Sequence, residues 1–238
     1  PNPYFLRRPT GIIDLDIDLG GGFPAGGCCF ISGPDNSGKT FLMLRAMGWQ
    51  QRLFGPDCRM AYAITEGAFP YGQAINAGMR VYVPTDIINQ WQEWRHLRGM
   101  PLLTGEQVAD LQREDVNKQL RIMRAPNGEA LLSIMLEAIK TNAFSVIACD
   151  SLNGLQPSGE TGKEMTDAEK VAAQSTLIGK FFKKYVPITT GFTNQNTTTV
   201  LFTQQVRANQ DRASAPSYMQ KWIPQFVSSG GGWSGRHY

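Results

Sequence analysis

Short apolar runs alternate with stretches of helical periodicity along most of this 238-residue chain. Leu131, Ile134, Met135 and Ala138, for example, recur at a spacing that places them on one face of a helix over residues 128–141. Six apolar runs are predicted strands: residues 28–32, 60–65, 80–83, 120–123, 144–150 and 200–203. Strands that alternate with helices predict an α/β fold, with a mostly parallel central sheet flanked by helices.

Two further segments depart from this alternation. Residues 84–119 predict two helices, the second of which begins at a capping box formed by Thr104 and Gln107. From residue 206 to the end, no periodicity is found among small residues, prolines and isolated aromatics. The length allows one large α/β domain or two small ones.

The loop after the first predicted strand fits the pattern G-x-x-x-x-G-K-[ST]. Its residues are Gly33, Pro34, Asp35, Asn36, Ser37, Gly38, Lys39 and Thr40. Strand, glycine loop and helix in this order predict a cradle of backbone N–H groups around a polyphosphate. We expect Lys39 to reach the β- and γ-phosphates and Thr40 to hold Mg²⁺. Phe41, the next residue, is included in the predicted nucleotide site. The alternative is that the eight residues match the pattern by chance.

Polar residues also follow three other predicted strands. Because ligands of parallel sheets bind at the carboxyl ends of strands, these residues are expected to meet the glycine loop. Asp150 is the predicted Mg²⁺ carboxylate, with a turn or helix-capping aspartate as the alternative. Glu66 is predicted to orient or deprotonate an attacking water, unless it is an ordinary surface glutamate. Gln205, or Gln204 beside it, is predicted to contact the γ-phosphate; the alternative is a simple polar strand end.

Composition excludes several classes of protein. Apolar residues make up 42% of the chain, enough for a sizeable core, yet no apolar run has the length of a membrane helix. No signal-peptide pattern opens the chain. The four cysteines have no metal or disulfide spacing, and the two histidines are isolated. They are Cys28, Cys29, Cys58, Cys149, His96 and His237. Reduced core cysteines indicate a cytosolic protein.

The net charge of +3 is concentrated in one segment. Residues 206–238 hold Arg207, Arg212, Lys221 and Arg236 against a single acid, so residues 1–205 are formally neutral. Tyr218 and Trp222 lie among these cations. Cations for the phosphate backbone and aromatic rings for the bases are what sequence-tolerant binders of single-stranded nucleic acid use. A surface loop without a ligand is the alternative.

Taken together, these motifs resemble the RecA family of DNA recombinases. The similar segments are the lead-in at residues 10–26, the P-loop, residues 65–67 around Glu66, residues 145–151, residues 201–207, and the glycines and aromatics of residues 231–238. The likeness runs from about residue 8 to the last residue. A P-loop alone occurs in many NTPases, whereas this ordered set is far more specific.

The resemblance implies a single RecA-like ATPase core over residues 1–238 and a DNA-dependent ATPase that uses ATP and Mg²⁺. It implies filaments on single-stranded DNA, pairing with homologous duplex DNA, and strand exchange, with ATP between neighbouring subunits. The DNA-binding loops would fall at residues 157–165 and 206–232. Arg207, Arg212 and Lys221 would contact phosphates, and Tyr218 or Trp222 would insert between base triplets. The location would be the cytoplasm of a bacterial cell or a phage-infected host, without a membrane partner.

Four features depart from the family pattern. Pro70 and Gln73 stand where the family has an aspartate and a tyrosine for the adenine ring, and Tyr71 is expected to substitute. Residues 84–119 are longer than the bacterial version and suggest an inserted helical pair. The family's N-terminal polymerisation segment and its later strands have no counterpart in this sequence, so either the protein is shortened or more chain is missing. Divergence of this kind would suit a bacteriophage member. The alternatives are a RecA-like ATPase of another type, such as a helicase or a repair or regulatory ATPase, and a non-catalytic ATP-binding scaffold.

Overall fold

A computed structural model describes residues 6–158, 167–190, 196–207 and 223–224. The strands are β1 (Arg7–Arg8), β2 (Phe23–Pro24), β3 (Cys28–Gly33), β4 (Met60–Ile64), β5 (Leu120–Met123), β6 (Val146–Asp150), β7 (Thr199–Arg207) and β8 (Ile223–Pro224). The α-helices are α1 (Ile13–Asp18), α2 (Lys39–Phe54), α3 (Tyr71–Asn76), α4 (Thr85–Leu97), α5 (Gly105–Leu111), α6 (Glu114–Asn117), α7 (Gly128–Lys140) and α8 (Asp167–Thr190). This alternation confirms the predicted α/β class.

Five strands form a parallel sheet in the order β3-β7-β6-β4-β5. The short β8 pairs antiparallel with the end of β7, and β1 pairs with β2 in a separate two-stranded ribbon. Because the five central strands are parallel, all their carboxyl ends lie at one edge of the sheet. The predicted P-loop, Glu66, Asp150 and Gln205 are therefore brought to the same edge.

Helices cover both faces of the sheet. One core cluster joins the sheet to α2 and α3 and includes Met43, Leu44 and Met47, which are fully buried. The other joins it to α7 and α8 through Met135, Ile139 and an aromatic group around Phe202. Burial of these apolar side chains from water is the main stabilising force of the layered fold. Ile134, expected on the buried face of α7, is instead 44% exposed.

Helix ends account for several element boundaries. The predicted capping box is present at α5: Thr104 Oγ1 accepts from the Gln107 N–H, and the Gln107 side chain accepts from the Thr104 N–H. Asn127 caps α7 by accepting from the Ala130 N–H at 2.9 Å. Residues 84–119 contain the two predicted helices and one additional short helix, α6. No helix among the described residues is both long and apolar enough to cross a membrane.

The predicted strand at residues 80–83 was wrong. This segment is extended but belongs to no ladder, because its backbone N–H groups are used elsewhere. The Arg80 N–H donates to the Gln51 side chain, and the Val83 N–H donates to the Leu111 carbonyl, both at 2.8 Å. Val81 and Val83 are buried, which explains the apolar pattern. By contrast, the last predicted strand is longer than expected, since β7 continues to Arg207.

Candidate functional site

A cleft of about 720 Å³ lies at the carboxyl edge of the parallel sheet. It is lined by Asp35, Asn36, Ser37, Gly38, Lys39, Thr40, Phe41, Glu66, Gln73, Asp150, Ser151 and Gln205. The sheet topology thus brings together residues that are up to 170 positions apart in the chain (Asp35 to Gln205). Of the residues predicted for catalysis, nucleotide and metal, three are absent from this lining: Gly33, Pro34 and Tyr71.

The glycine loop is a tight turn between β3 and α2. The loop is tight enough that a Cβ at Gly33 would come within 2.6 Å of the Ser37 hydroxyl. Lys39 Nζ donates to the carbonyl oxygens of Gly33 at 3.1 Å and Pro34 at 2.6 Å. Gly38 precedes α2 in a left-handed conformation and offers no capping side chain. The first-turn N–H groups of α2 are therefore positioned for an anion, as a phosphate-binding loop requires.

Three hydroxyl groups donate hydrogen bonds to the carboxylate oxygens of Asp150. Thr40 Oγ1 donates to Oδ2 at 2.8 Å, and the Tyr62 hydroxyl donates to the same oxygen at 2.7 Å. Thr203 Oγ1 donates to Oδ1. The side-chain ion pairs found in the described ranges involve exposed Arg113 and Lys140, and none includes Asp150. Burial and the neighbouring Asp150 carboxylate raise the pKa of Tyr62, so its hydroxyl remains a donor.

The donor set at Asp150 fits Mg²⁺. This cation prefers hard oxygen ligands and is usually held by one or two carboxylates together with substrate phosphates. Thr40 and Asp150 supply a hydroxyl and a carboxylate beside the phosphate loop. Within the described part of the chain, no group of three or more His, Cys, Asp or Glu side chains could hold a metal.

Glu66 lines the same cleft, two residues beyond the end of β4, and is exposed. The preceding residue, Thr65, anchors it: Thr65 Oγ1 accepts from the Ser151 N–H at 2.7 Å and lies 2.9 Å from the Asp150 carbonyl oxygen. Gly154 packs directly against Glu66, since a Cβ there would come within 2.7 Å of Glu66 Oε1. Thr65 belongs to the family-like segment 65–67, but its hydrogen bonds to residues 150 and 151 were not predicted, and Gly154 belongs to no recognisable pattern.

The two adjacent glutamines of β7 have different environments. Gln205 lines the cleft, and its backbone N–H donates to Asn153 Oδ1 at 2.8 Å. Gln204 is 6% exposed, and its side chain accepts a hydrogen bond from Ser32. Since alternate side chains of a strand point to opposite faces, only one of the pair can face the cleft. Gln205 is therefore the one placed to contact a nucleotide.

Tyr71 begins α3 and is partly buried against the core. Its ring packs edge-on against Phe69 with centroids 4.9 Å apart, and Phe69 packs in the same way on Tyr62. Gln73 and Phe41 line the cleft, whereas Tyr71 does not. The adenine contact of Tyr71 remains a prediction.

The predicted DNA-binding residues fall almost entirely outside the described residues. These are Arg212, Tyr218, Lys221, Trp222 and positions 159–165 of the first predicted loop. Arg207 is the last residue of β7, where its backbone pairs with Ile223 of β8. The second predicted loop, residues 206–232, begins one residue after Gln205, which lines the cleft.

Fold and site together define a class. A parallel sheet with a glycine loop between β3 and α2, and a carboxylate at the end of β6, is the arrangement of P-loop proteins that hold nucleotide phosphates.

Comparisons with known proteins identify the family. A sequence model of the RecA N-terminal domain matches residues 109–211. The protein RecA of Bacteroides thetaiotaomicron is 30% identical over 200 residues, which are 84% of this chain and 47% of that protein. RecA of Porphyromonas gingivalis is 30% identical over 200 residues, 84% and 46% of the two chains. RecA of Leptospira biflexa is 29% identical over 199 residues, 83% and 40%. The chain belongs to the RecA family, and it spans less than half the length of these relatives.

Proposed function

We propose that this protein is an ATP-dependent DNA recombinase, a DNA-dependent ATPase that forms filaments on single-stranded DNA and promotes homologous pairing and strand exchange. The observation that carries the proposal is the convergence of Lys39, Thr40, Glu66, Asp150 and Gln205 around one cleft. Membership of the RecA family supports the same conclusion.

Each residue has a role that follows from its position. Lys39 moves from the loop carbonyls to the β- and γ-phosphates of ATP and neutralises their charge. Thr40 and Asp150 hold Mg²⁺, which supplies further charge neutralisation on the phosphates when bound. Glu66, which lines the same cleft, orients the attacking water and accepts its proton. Phosphoryl transfer needs little more than this positioning and charge stabilisation.

The coupling to DNA follows from the path of β7. Gln205 contacts the γ-phosphate, and the chain enters the basic, aromatic segment that begins at Arg207 two residues later. A shift of β7 on nucleotide binding or hydrolysis is thereby transmitted to the DNA-binding segment. ATP binds between neighbouring subunits of a helical homo-oligomer, so assembly and hydrolysis are linked.

The direct test is ATP hydrolysis by this chain with and without single-stranded DNA. Stimulation by DNA is expected, because β7 contains the residue that contacts the γ-phosphate and leads directly into the loop that binds DNA. Hydrolysis that is indifferent to DNA would assign the protein to another type of RecA-like ATPase. Nucleotide binding without hydrolysis, with or without DNA, would assign it to the scaffold class.

Glu66→Gln tests the catalytic assignment within the same assay. Removal of a general base typically costs 10²- to 10⁴-fold in rate, so we expect hydrolysis to fall by at least about 100-fold. Binding of a fluorescent ATP analogue should remain, because Glu66 does not contact the glycine loop in the structure. Glu106→Gln, an exposed residue of α5, is the matched control. Unchanged hydrolysis in Glu66→Gln would remove this residue from the catalytic role.

A further inference from the structure

Asp150 is bracketed by hydroxyl groups from both neighbouring strands of the sheet. On one side, Thr203 of β7 lies one residue beyond the pair Cys149–Phe202 and reaches Oδ1. On the other side, Tyr62 of β4 lies two residues before Ile64, the register partner of Asp150. The length of the tyrosine ring spans that offset, and its hydroxyl reaches Oδ2 at 2.7 Å. Each carboxylate oxygen therefore receives a hydroxyl donor from within the sheet.

Both donors lie below the cleft and away from water. Tyr62 is 1% exposed and Thr203 is fully buried, and neither lines the cleft. The Tyr62 ring is fixed by the edge-on contact with Phe69. A buried hydroxyl group without a partner costs stability, so these two groups are committed to the carboxylate as part of the fold.

Thr40 differs from the other two donors. It lies in the cleft at the first turn of α2, where its oxygen is expected to become a metal ligand. When that oxygen turns to the metal, Oδ2 retains the Tyr62 hydroxyl and Oδ1 retains the Thr203 hydroxyl. The orientation of the carboxylate then depends on the two buried donors alone.

We propose that Tyr62 and Thr203 are positioning residues that together hold the Asp150 carboxylate in the orientation that binds the metal of a nucleotide complex. Hydrogen bonds to a ligating carboxylate fix its orientation, and such outer partners set metal affinity. This inference rests on the proposed nucleotide and metal binding. It adds two residues that contact neither nucleotide nor metal.

The test compares isosteric variants by metal affinity rather than by hydrolysis. Mn²⁺ serves as the probe, titrated into the ADP-saturated full chain and followed by the electron paramagnetic resonance signal of free Mn²⁺. Tyr62→Phe and Thr203→Val each remove one hydroxyl group and keep the shape. Loss of an outer partner typically weakens metal binding by 10- to 100-fold, so we expect at least about 10-fold for each variant. ADP affinity in EDTA should be unchanged, because the phosphate loop is intact.

Three further variants make the result specific. Thr203→Ser keeps the hydroxyl group and should restore the Mn²⁺ affinity of the parent chain. Tyr185→Phe removes a buried tyrosine hydroxyl that bonds to the Gly26 carbonyl, and it should leave Mn²⁺ affinity unchanged. Asp150→Asn should weaken Mn²⁺ binding most and shows that the signal reports on this carboxylate.

The outcomes separate this inference from the proposed function. If the parent chain binds Mn²⁺ with ADP and both Tyr62→Phe and Thr203→Val match its affinity within about twofold, only the positioning role of Tyr62 and Thr203 is wrong. If Thr203→Ser is as weak as Thr203→Val, the side-chain shape matters and the hydroxyl group does not, which also overturns the proposal. If the parent chain binds no Mn²⁺ with ADP, the proposed function fails and the inference falls with it.

Discussion

The two ends of the parallel sheet both contain polar side chains in buried or half-buried positions, but their partners differ. At the carboxyl end, Lys39, Asp150 and Gln205 face a cleft, and their partners are loop carbonyls and hydroxyl groups that a ligand can replace. At the amino end, buried polar groups are bonded mainly to backbone groups of neighbouring segments. The comparison separates polar groups that serve a ligand from those that hold the fold together.

A glutamine pair illustrates the amino end. Gln51, in the last part of α2, donates to the Arg80 carbonyl and accepts from the Arg80 N–H, both at 2.8 Å. Gln119, just before β5, donates to the Gly55 carbonyl at 2.9 Å. Its side-chain oxygen accepts from Gln51 Nε2 at 3.4 Å. Both glutamines are at most 3% exposed. Gln51 thereby gives the backbone of Arg80 the hydrogen bonds that no neighbouring strand provides, and Gln119 ties Gln51 to the turn after α2.

Arg8 makes a second set of hydrogen bonds at the amino end of the sheet, beside the start of β7. Its guanidinium donates to the Thr197 carbonyl at 2.9 Å and to Thr199 Oγ1 at 3.1 Å. Thr198 Oγ1 donates to the Phe144 carbonyl at 2.7 Å. Buried groups of this kind cost free energy if their partner is removed, so they bind the ribbon, β6 and β7 into one unit. Helix α2 extends from one end to the other, with Lys39 in its first turn and Gln51 near its last.

Lys39→Met is expected to have the largest effect, and only on ligand binding. Loss of charge-assisted hydrogen bonds to phosphate, each about 1.5–3 kcal/mol, predicts ATP affinity roughly 10- to 150-fold lower. The free energy of unfolding should change little, because Nζ contacts only loop carbonyls. Fluorescent-nucleotide titration and urea unfolding measure the two quantities. Lys140→Met, an exposed cation of α7, is the control, and a large loss of stability in Lys39→Met would break the comparison.

Gln51→Leu, on the same helix, should have the opposite profile. It removes the partner of the Arg80 N–H and carbonyl in two part-buried hydrogen bonds, which predicts a loss of about 1–3 kcal/mol in the free energy of unfolding. ATP affinity of the folded protein should stay within about twofold, because the substitution lies about three turns from the phosphate loop. Urea unfolding with Gln90→Leu as the exposed control checks the first expectation. A variant that unfolds like the parent chain would mean that water bonds to the Arg80 N–H and carbonyl, and that the amino end of the sheet is open to water.

The meeting of the glycine loop, Asp150, Glu66 and Gln205 at one cleft was predictable, because the motif fixes the first element and the strand-end rule places the rest. The roles of these residues remain predictions. The fold class followed from the alternation of elements. Residues 80–83 were mistaken for a strand because buried valines give the same pattern whether or not a neighbouring strand is available.

The supporting residues could not be predicted, for two physical reasons. Tyr62 and Thr203 lie inside apolar strands, where nothing local distinguishes a core residue from a hydrogen-bond donor to Asp150. Gln51 and Gln119 are polar residues of a kind usually found at the surface, and only the tertiary structure reveals their burial. The hydrogen bonds of all four residues join segments that are far apart in the chain. The DNA-binding assignments, including that of Arg207, remain predictions.

The smallest expected effect concerns Cys58, a fully buried thiol at the amino end, and it emerges only at alkaline pH. Burial raises the pKa of Cys58 from 9.0 to about 11, an effect partly offset by the nearby Arg8. Between these values the unfolded chain has released the proton and the folded protein retains it. Stability is therefore complete below pH 9 and falls as pH rises, by about 1.4 kcal/mol from this group at pH 10.

Cys58→Ala removes that contribution and leaves the other buried thiols in place. Its free energy of unfolding, measured in urea from pH 7 to 10.5, should fall less steeply above pH 9 than that of the parent chain. Below pH 8 the two curves should run parallel, offset by the small cavity left by the sulfur. Curves that stay parallel up to pH 10.5 would mean that Cys58 ionises as easily in the folded protein as in the unfolded chain. The amino end would then admit water, and the contrast between a closed and an open end of the sheet would be lost.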